Sequence, residues 1–199
     1  MTGALLLDRK GASAAEFAMV LPLLLVCLFG IIDGGRYLWE INKAEKATQM
    51  GARMAIVTDP VASGLSDESY VGVGGLGQGD VIPASALDPL VCDDSACNCT
   101  GACPDDLTHD PDAFDVIVDR MRLMKADIDP AQVRVSYRGS GLGYAGDPGG
   151  MDIAPLVTVE LVDATFTPIT TLLFGGASVG LPTFRTTLTA EDSAGDQSN

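Results

Sequence analysis

The chain has 199 residues, a formal net charge of −15 and a single histidine, and 47% of its residues are hydrophobic. An acidic surface repels nucleic acid, and because no basic stripe offsets this repulsion, a nucleic-acid partner is excluded. The length that follows the N-terminal apolar region suffices for one modest hydrophobic core, so we expect one domain there rather than two large ones.

The N-terminal apolar run is the most informative segment. Arg9 and Lys10 precede an apolar stretch, residues 12–32, in which Glu16 is the only charged residue. As a helix this stretch would measure about 32 Å, the thickness of a bilayer's hydrocarbon core. A carboxylate there costs on the order of 3 kcal/mol at mid-membrane and less near the interface, so Glu16 is a candidate functional residue. The alternative is a plain single-pass anchor with a tolerated interfacial glutamate.

Two further points concern how this segment is used. A removable secretory signal peptide is disfavoured for two reasons. The apolar region is too long, and the small-residue cluster, residues 12–15, stands at its start rather than after it, where a cleavage site would lie. Arg9 and Lys10 directly before the span favour an N-terminus in the cytoplasm and a C-terminal body outside.

The residues around Gly11 and the end of the apolar run carry a family resemblance. The string GASAAEFAMVLP begins at Gly11, and GIIDGGR ends at Arg36. This pattern resembles the TadE-like pseudopilins of the tight-adherence (Tad/Flp) pilus system, which have a type IV pilin-like N-terminus. Ala15 and Asp33 stand where that family often has Val and Glu, which are mild departures.

The resemblance implies a processing site. A prepilin peptidase would cut after Gly11, remove the cytoplasmic leader 1–11 and leave Ala12 as the new N-terminus. Glu16, followed by Phe17, would then be the fifth residue of the mature chain. The freed amino group of Ala12, on this or a neighbouring subunit, would pair with Glu16 and set the register of assembly.

The resemblance also implies a function and a location. The chain would be a minor pseudopilin-like structural component of a Tad/Flp pilus assembly and secretion system, with a role in bacterial adhesion. Its partners would be the lipid bilayer, the prepilin peptidase, other pilins or pseudopilins and the Tad machinery. It would be a single-pass protein of the bacterial inner membrane with a periplasmic C-terminal domain, and incorporation into a surface pilus is a second possible location.

Helical periodicity continues after the span. Apolar and small residues recur at three-to-four spacing over residues 33–58, which predicts an amphipathic extension that Asp59-Pro60 would end. The extracytoplasmic domain would then cover residues 59–199. A second helix is predicted from Pro111 to about Ala126, with Asp110 as its N-cap and an apolar stripe that includes Met121 and Met124.

Beyond that helix the period changes to two. Val133, Val135 and Tyr137 alternate with polar residues, residues 156–166 are rich in Val and Thr, and residues 184–189 alternate again. These patterns predict about three antiparallel strands. The fold class is therefore α+β, with a long N-terminal helix followed by a small pilin-like domain of one helix and one sheet. Two glycine-rich segments, 72–79 and 139–150, are expected to be flexible or turn-rich.

Four of the five cysteines crowd into one loop, residues 92–103: Cys92, Cys97, Cys99 and Cys103. In an oxidising compartment they would form two disulfides, whereas in a reducing one they would suggest zinc or an iron–sulfur centre. The topology favours disulfides, and three connectivities are open, of which the one with a Cys97–Cys99 bond is least favoured because of strain. The fifth, Cys27, is expected to be a small packing residue.

No residue constellation points to catalysis. The single histidine, His109, and the lack of a cysteine nucleophile outside the crowded loop leave no recognisable triad. We therefore expect no enzymatic activity, no cofactor, no metal and no small-molecule substrate. The alternative function is a membrane-anchored extracytoplasmic binding module that is unrelated to pilus assembly.

Overall fold

The computed structural model describes residues 10–171 and 176–190, so most of the predicted leader lies outside the described residues. The chain divides into two compact units. The first is formed by Met1–Ile41 with Thr165–Gly180, and the second by Asn42–Ala164 with Leu181–Asn199. The predicted α+β class is confirmed, with a long apolar N-terminal helix and a small domain built on an antiparallel sheet.

The N-terminal helix α1 spans Lys10–Ala55 and contains Pro22. It ends three residues before the predicted end at residue 58. After Ala55 the backbone tightens, because Val57 donates its N–H to the carbonyl of Met54, at 3.1 Å, and the Thr58 hydroxyl donates to the same carbonyl. These bonds take the place of further helical ones.

The sheet of the second unit has five antiparallel strands in the order β2-β1-β3-β4-β7. The strands are β1 (Leu90–Cys92), β2 (Cys97–Cys99), β3 (Val133–Arg138), β4 (Leu156–Leu161) and β7 (Phe184–Thr189). The three predicted strands are β3, β4 and β7. The other two are three residues each, too short to give an alternating pattern: β1 ends at the first cysteine of the loop, and β2 lies within it.

The predicted strand over residues 156–166 is wrong in its length. It divides into β4 and a two-residue strand, β5 (Thr165–Phe166), which pairs with β6 (Val179–Gly180) in the first unit. The break falls at Asp163, whose φ of 53° lies in the left-handed region and ends the extended backbone.

The core of the second unit is formed by the sheet and by the buried faces of the helices. The strands contribute buried Val135, Val159 and Leu161, and the Tyr137 hydroxyl accepts the N–H of Val61 at 2.9 Å. The short helix α2 (Gly64–Asp67) follows α1, and α3 (Pro111–Arg122) supplies its own buried face. That face consists of Ala113, Phe114, Ile117, Val118 and Met121.

Helix α3 begins as predicted and ends early. Asp110 accepts hydrogen bonds from the N–H groups of Asp112 and Ala113, which makes it the N-cap. The helix stops at Arg122 because Met124 and Lys125 both donate to the Met121 carbonyl in a tightened turn. Met124 is 38% exposed, so its predicted place in the core is wrong.

The two glycine-rich segments pair with each other. Gly79 donates its N–H to the carbonyl of Ala145 at 2.7 Å, and an antiparallel bridge joins Val81 to Tyr144. The buried carboxylate of Asp152 accepts three backbone hydrogen bonds, two of them from residues 146 and 147 and one from residue 70. A network of backbone bonds therefore orders segments that the sequence marked only as turn-rich.

Candidate functional site

The predicted processing residues lie on the first turns of one helix. Gly11 and Ala12 are already inside α1, and Glu16 follows Ala12 by one helical turn. The side chains of Glu16 and Phe17 are exposed. Within the described part of the chain, Glu16 forms no hydrogen bond or ion pair, so its carboxylate is available to a group outside this chain or in the part not described.

The surface of α1 beyond Glu16 is apolar and uncovered. One helix among the described residues is long and apolar enough to cross a membrane, with a mean hydropathy of 2.5 in its apolar window and none of that window buried. Large side chains such as Met19, Leu23 and Ile31 are between 70% and 82% exposed. An uncovered surface of this size needs an apolar environment, which a bilayer or neighbouring apolar helices would supply.

Cys27 lies on this surface. It is exposed and forms no disulfide among the described residues, so the structure does not bury this predicted packing residue. A shallow apolar groove surrounds it, lined by Val20, Leu23, Leu24, Leu28 and Ile31. The residues that line this groove all belong to the same helix.

Where the apolar run ends, Asp33 binds a distant turn of the chain. Its carboxylate is buried and accepts the N–H of Ile169 at 2.7 Å and the N–H of Thr170 at 2.8 Å. The Thr170 hydroxyl donates to the same carboxylate at 2.8 Å, and Arg36 adds an ion pair at 3.0 Å. Charge-assisted hydrogen bonds of this kind are among the stronger ones in proteins.

Aromatic contacts complete the arrangement. The Arg36 guanidinium lies 5.1 Å above the centre of the Phe166 ring, and the Tyr37 ring meets Phe166 edge-on at 5.7 Å. Such cation–π and edge-to-face geometries are favourable. We call the group formed by Asp33, Arg36, Tyr37, Phe166 and residues 169–170 the exit clamp.

Sequence reasoning recognised one half of the exit clamp and missed the other. The motif around Asp33 and Arg36 stood out only through its family resemblance. Its partners lie 136 and 137 positions away, in a Thr-rich stretch with no distinguishing pattern. No signal in a single sequence joins the two segments.

The cysteine loop contains two disulfides, which resolves the connectivity left open by the sequence. Cys92 pairs with Cys97, with Cα atoms 4.0 Å apart, and Cys99 pairs with Cys103, with Cα atoms 5.9 Å apart. The first bond crosses the β1–β2 hairpin, where these residues are direct partners. The four sulfurs of this loop are therefore bonded to one another in pairs.

The acidic residues near this loop act as turn caps. Asp93 accepts the N–H groups of Ser95 and Ala96 and the Ser95 hydroxyl, all within 2.9 Å. These hydrogen bonds hold the pKa of the Asp93 carboxyl below its usual range. Asp106 accepts two bonds from Thr108 in the same way, and its pKa is also lowered.

Comparison with known proteins returns one family. Residues 11–53 match the family model described as TadE-like protein. The matched region contains Gly11, Glu16, the apolar run and the Asp33-Arg36 motif, so the predicted resemblance is confirmed over the N-terminal helix. No curated protein and no solved structure was found to match the chain.

Proposed function

We propose that this protein is a pseudopilin-like structural component of a Tad-type pilus assembly system. The observation that carries the proposal is the match of residues 11–53 to TadE-like proteins, on a helix whose apolar surface is left uncovered. A structural subunit would use this apolar surface at two stages. Before assembly it would face lipid, and after assembly it would face the apolar helices of neighbouring subunits.

The proposal includes an orientation. Arg9 and Lys10 before the span favour a cytoplasmic N-terminus in the inner membrane, which places Gly11 within reach of a prepilin peptidase. The second unit would then lie in the periplasm. Two disulfides within residues 92–103 support this assignment, because disulfides persist in oxidising compartments.

Processing after Gly11 separates this proposal from a plain membrane anchor. In cells that contain an active prepilin peptidase, the intact mass of the membrane-extracted protein should correspond to a chain that begins at Ala12. Gly11→Leu should retain residues 1–11, because a bulky side chain would not fit the position that precedes the cut.

Gly30→Leu is the matched control. Gly30 lies in the same apolar run and a Cβ added there meets no atom within 4 Å, so the variant should be processed normally. A wild-type protein that keeps Met1 in such cells would contradict the proposal and favour an extracytoplasmic module on an unprocessed anchor.

A further inference from the structure

The part of α1 that follows the predicted span buries a carboxylate and exposes large apolar side chains. Asp33, Arg36 and Glu40 are spaced so that they share one side of the helix, and Asp33 on that side is buried in the exit clamp. On other sides, Leu38 is 61% and Trp39 is 66% exposed. A helix in water covers its apolar side and exposes its polar side, so this segment is arranged for apolar surroundings.

The exposed apolar side continues the surface of the span. Ile31 and Leu38 are seven positions apart, as are Ile32 and Trp39, so each pair lies on one side of the helix. Ile31 is 70% and Ile32 41% exposed. Between them, Gly34 and Gly35 carry no polar side chain. The apolar surface therefore runs on from the span to Trp39 without a polar interruption.

The contacts of the exit clamp also lower the energetic cost of placing the Asp33 carboxylate near lipid. A carboxylate in a medium of low polarity is costly unless it is paired and hydrogen-bonded. Asp33 has three hydrogen-bond donors from residues 169 and 170 and an ion pair with Arg36. Its charge is satisfied inside the protein, so this level of the helix does not need water.

We infer that the C-terminal membrane boundary of α1 lies at Trp39 and that lipid headgroups surround the exit clamp. From Ser13 to Trp39 the helix measures about 40 Å, which matches a bilayer with its headgroup regions. Trp and Tyr concentrate at this level of a membrane, and a long Arg side chain near it can extend its charged group to the interface. The inference rests on the membrane anchoring within the proposed function and not on any role in a pilus.

The single tryptophan of the chain reports this boundary directly. The full chain would be reconstituted in vesicles of phosphatidylethanolamine and phosphatidylglycerol, and its fluorescence measured with three quenchers. Lipids brominated near the headgroup should quench Trp39 more strongly than lipids brominated deep in the acyl chain. Aqueous iodide should quench it several-fold less than an exposed tryptophan.

Two variants in a Trp39→Phe background calibrate the depth. Leu28→Trp places the probe inside the span and should respond most to the deep bromines. Val116→Trp places it on an exposed site of α3, in the second unit, and should respond to iodide alone. Trp39 could be quenched by iodide alone, like the Val116→Trp probe, while brominated lipid quenches the Leu28→Trp probe. In that case the boundary at Trp39 is wrong, but the chain is still anchored in the membrane. If lipid does not quench the Leu28→Trp probe either, both the boundary and the membrane anchoring are wrong.

Discussion

At the scale of single residues, Asp33 joins two segments that are far apart in the chain. Its two carboxylate oxygens accept the N–H groups of Ile169 and Thr170, and Arg36 balances its charge. The turn that it binds is further closed by the Thr171 hydroxyl, which donates to the Pro168 carbonyl at 2.7 Å. One side chain on α1 therefore fixes the position of the turn at residues 168–171 within the first unit.

Asp33→Asn should loosen this turn. The amide keeps the size of the carboxylate but has one acceptor oxygen instead of two, and it cannot form an ion pair with Arg36. The backbone amides of Ile169 and Thr170 should then exchange their hydrogens severalfold faster, as measured by hydrogen–deuterium exchange and mass spectrometry in detergent micelles. Asp115→Asn, on the exposed side of α3, is the matched control and should leave this exchange unchanged. Equal exchange rates in wild type and Asp33→Asn would show that Asp33 does not fix the turn.

At the scale of elements, α1 uses small residues where it packs against the second unit's core. Its buried positions in that unit include Ala44, Ala47, Ala52 and Ala55. Gly51 allows the closest approach, because a Cβ built on it would lie 2.7 Å from Cγ of Met121 and 3.2 Å from Cγ1 of Val159. The absence of a side chain at residue 51 therefore sets the distance between α1 and α3.

Gly51→Ala should destabilise the protein although alanine is the better helix former. The helical gain is about 1 kcal/mol, whereas forcing a methyl group into a filled core costs about 1–3 kcal/mol. Met121 is fully buried, so moving its side chain away from the added methyl group would disturb other core contacts. The expected net loss in unfolding free energy, of up to about 2 kcal/mol, is measurable by urea unfolding.

Gly35→Ala is the control for the same helix. No atom lies within 4 Å of the added Cβ there, so this variant should be neutral or more stable than wild type. If Gly51→Ala stabilises the protein as much as Gly35→Ala does, the close packing of α1 on α3 is not a constraint.

At the scale of the whole molecule, the sequence predicts those parts that rest on local patterns. The apolar run, the alternation around Val133 and Val135, and the Asp110 cap each follow from neighbouring residues, and the structure contains all three. The contacts that depend on distant residues are absent from such patterns. Examples are the binding of Ile169 by Asp33, the pairing of the glycine-rich segments, and the two short strands built by the cysteine loop.

The candidate site also has a part that local sequence patterns predict and a part that depends on contacts beyond them. The predicted processing residues Gly11 and Glu16 stand out in the sequence because they lie close together on one helix, and the structure adds that Glu16 is exposed there. Among the described residues Glu16 has no hydrogen-bond or ion-pair partner, so the structure of this chain does not test the predicted pairing with Ala12.

Under the proposed function, Glu16 would link the single chain to an assembly. Among packed apolar helices an unpaired carboxylate is strongly disfavoured, so it needs a partner of opposite charge. We propose that this partner is the amino group freed at Ala12, on the same or a neighbouring subunit. Only one axial offset between subunits would bring these charges together, and the pair would therefore set the register of the fibre.

The most direct test of the account is a comparison of anchoring and assembly in the same strain carrying Glu16→Ala. Insertion should be normal or improved, because the change removes a polar group from an apolar segment, while pilus assembly and adherence should fail. Met19→Ala truncates another exposed side chain of the same helix and should affect neither. Membrane fractionation gives the first measurement, and a pilus or adherence assay gives the second. A Glu16→Ala strain that assembles pili as well as wild type would contradict the account and leave Glu16 as a tolerated residue of a plain anchor.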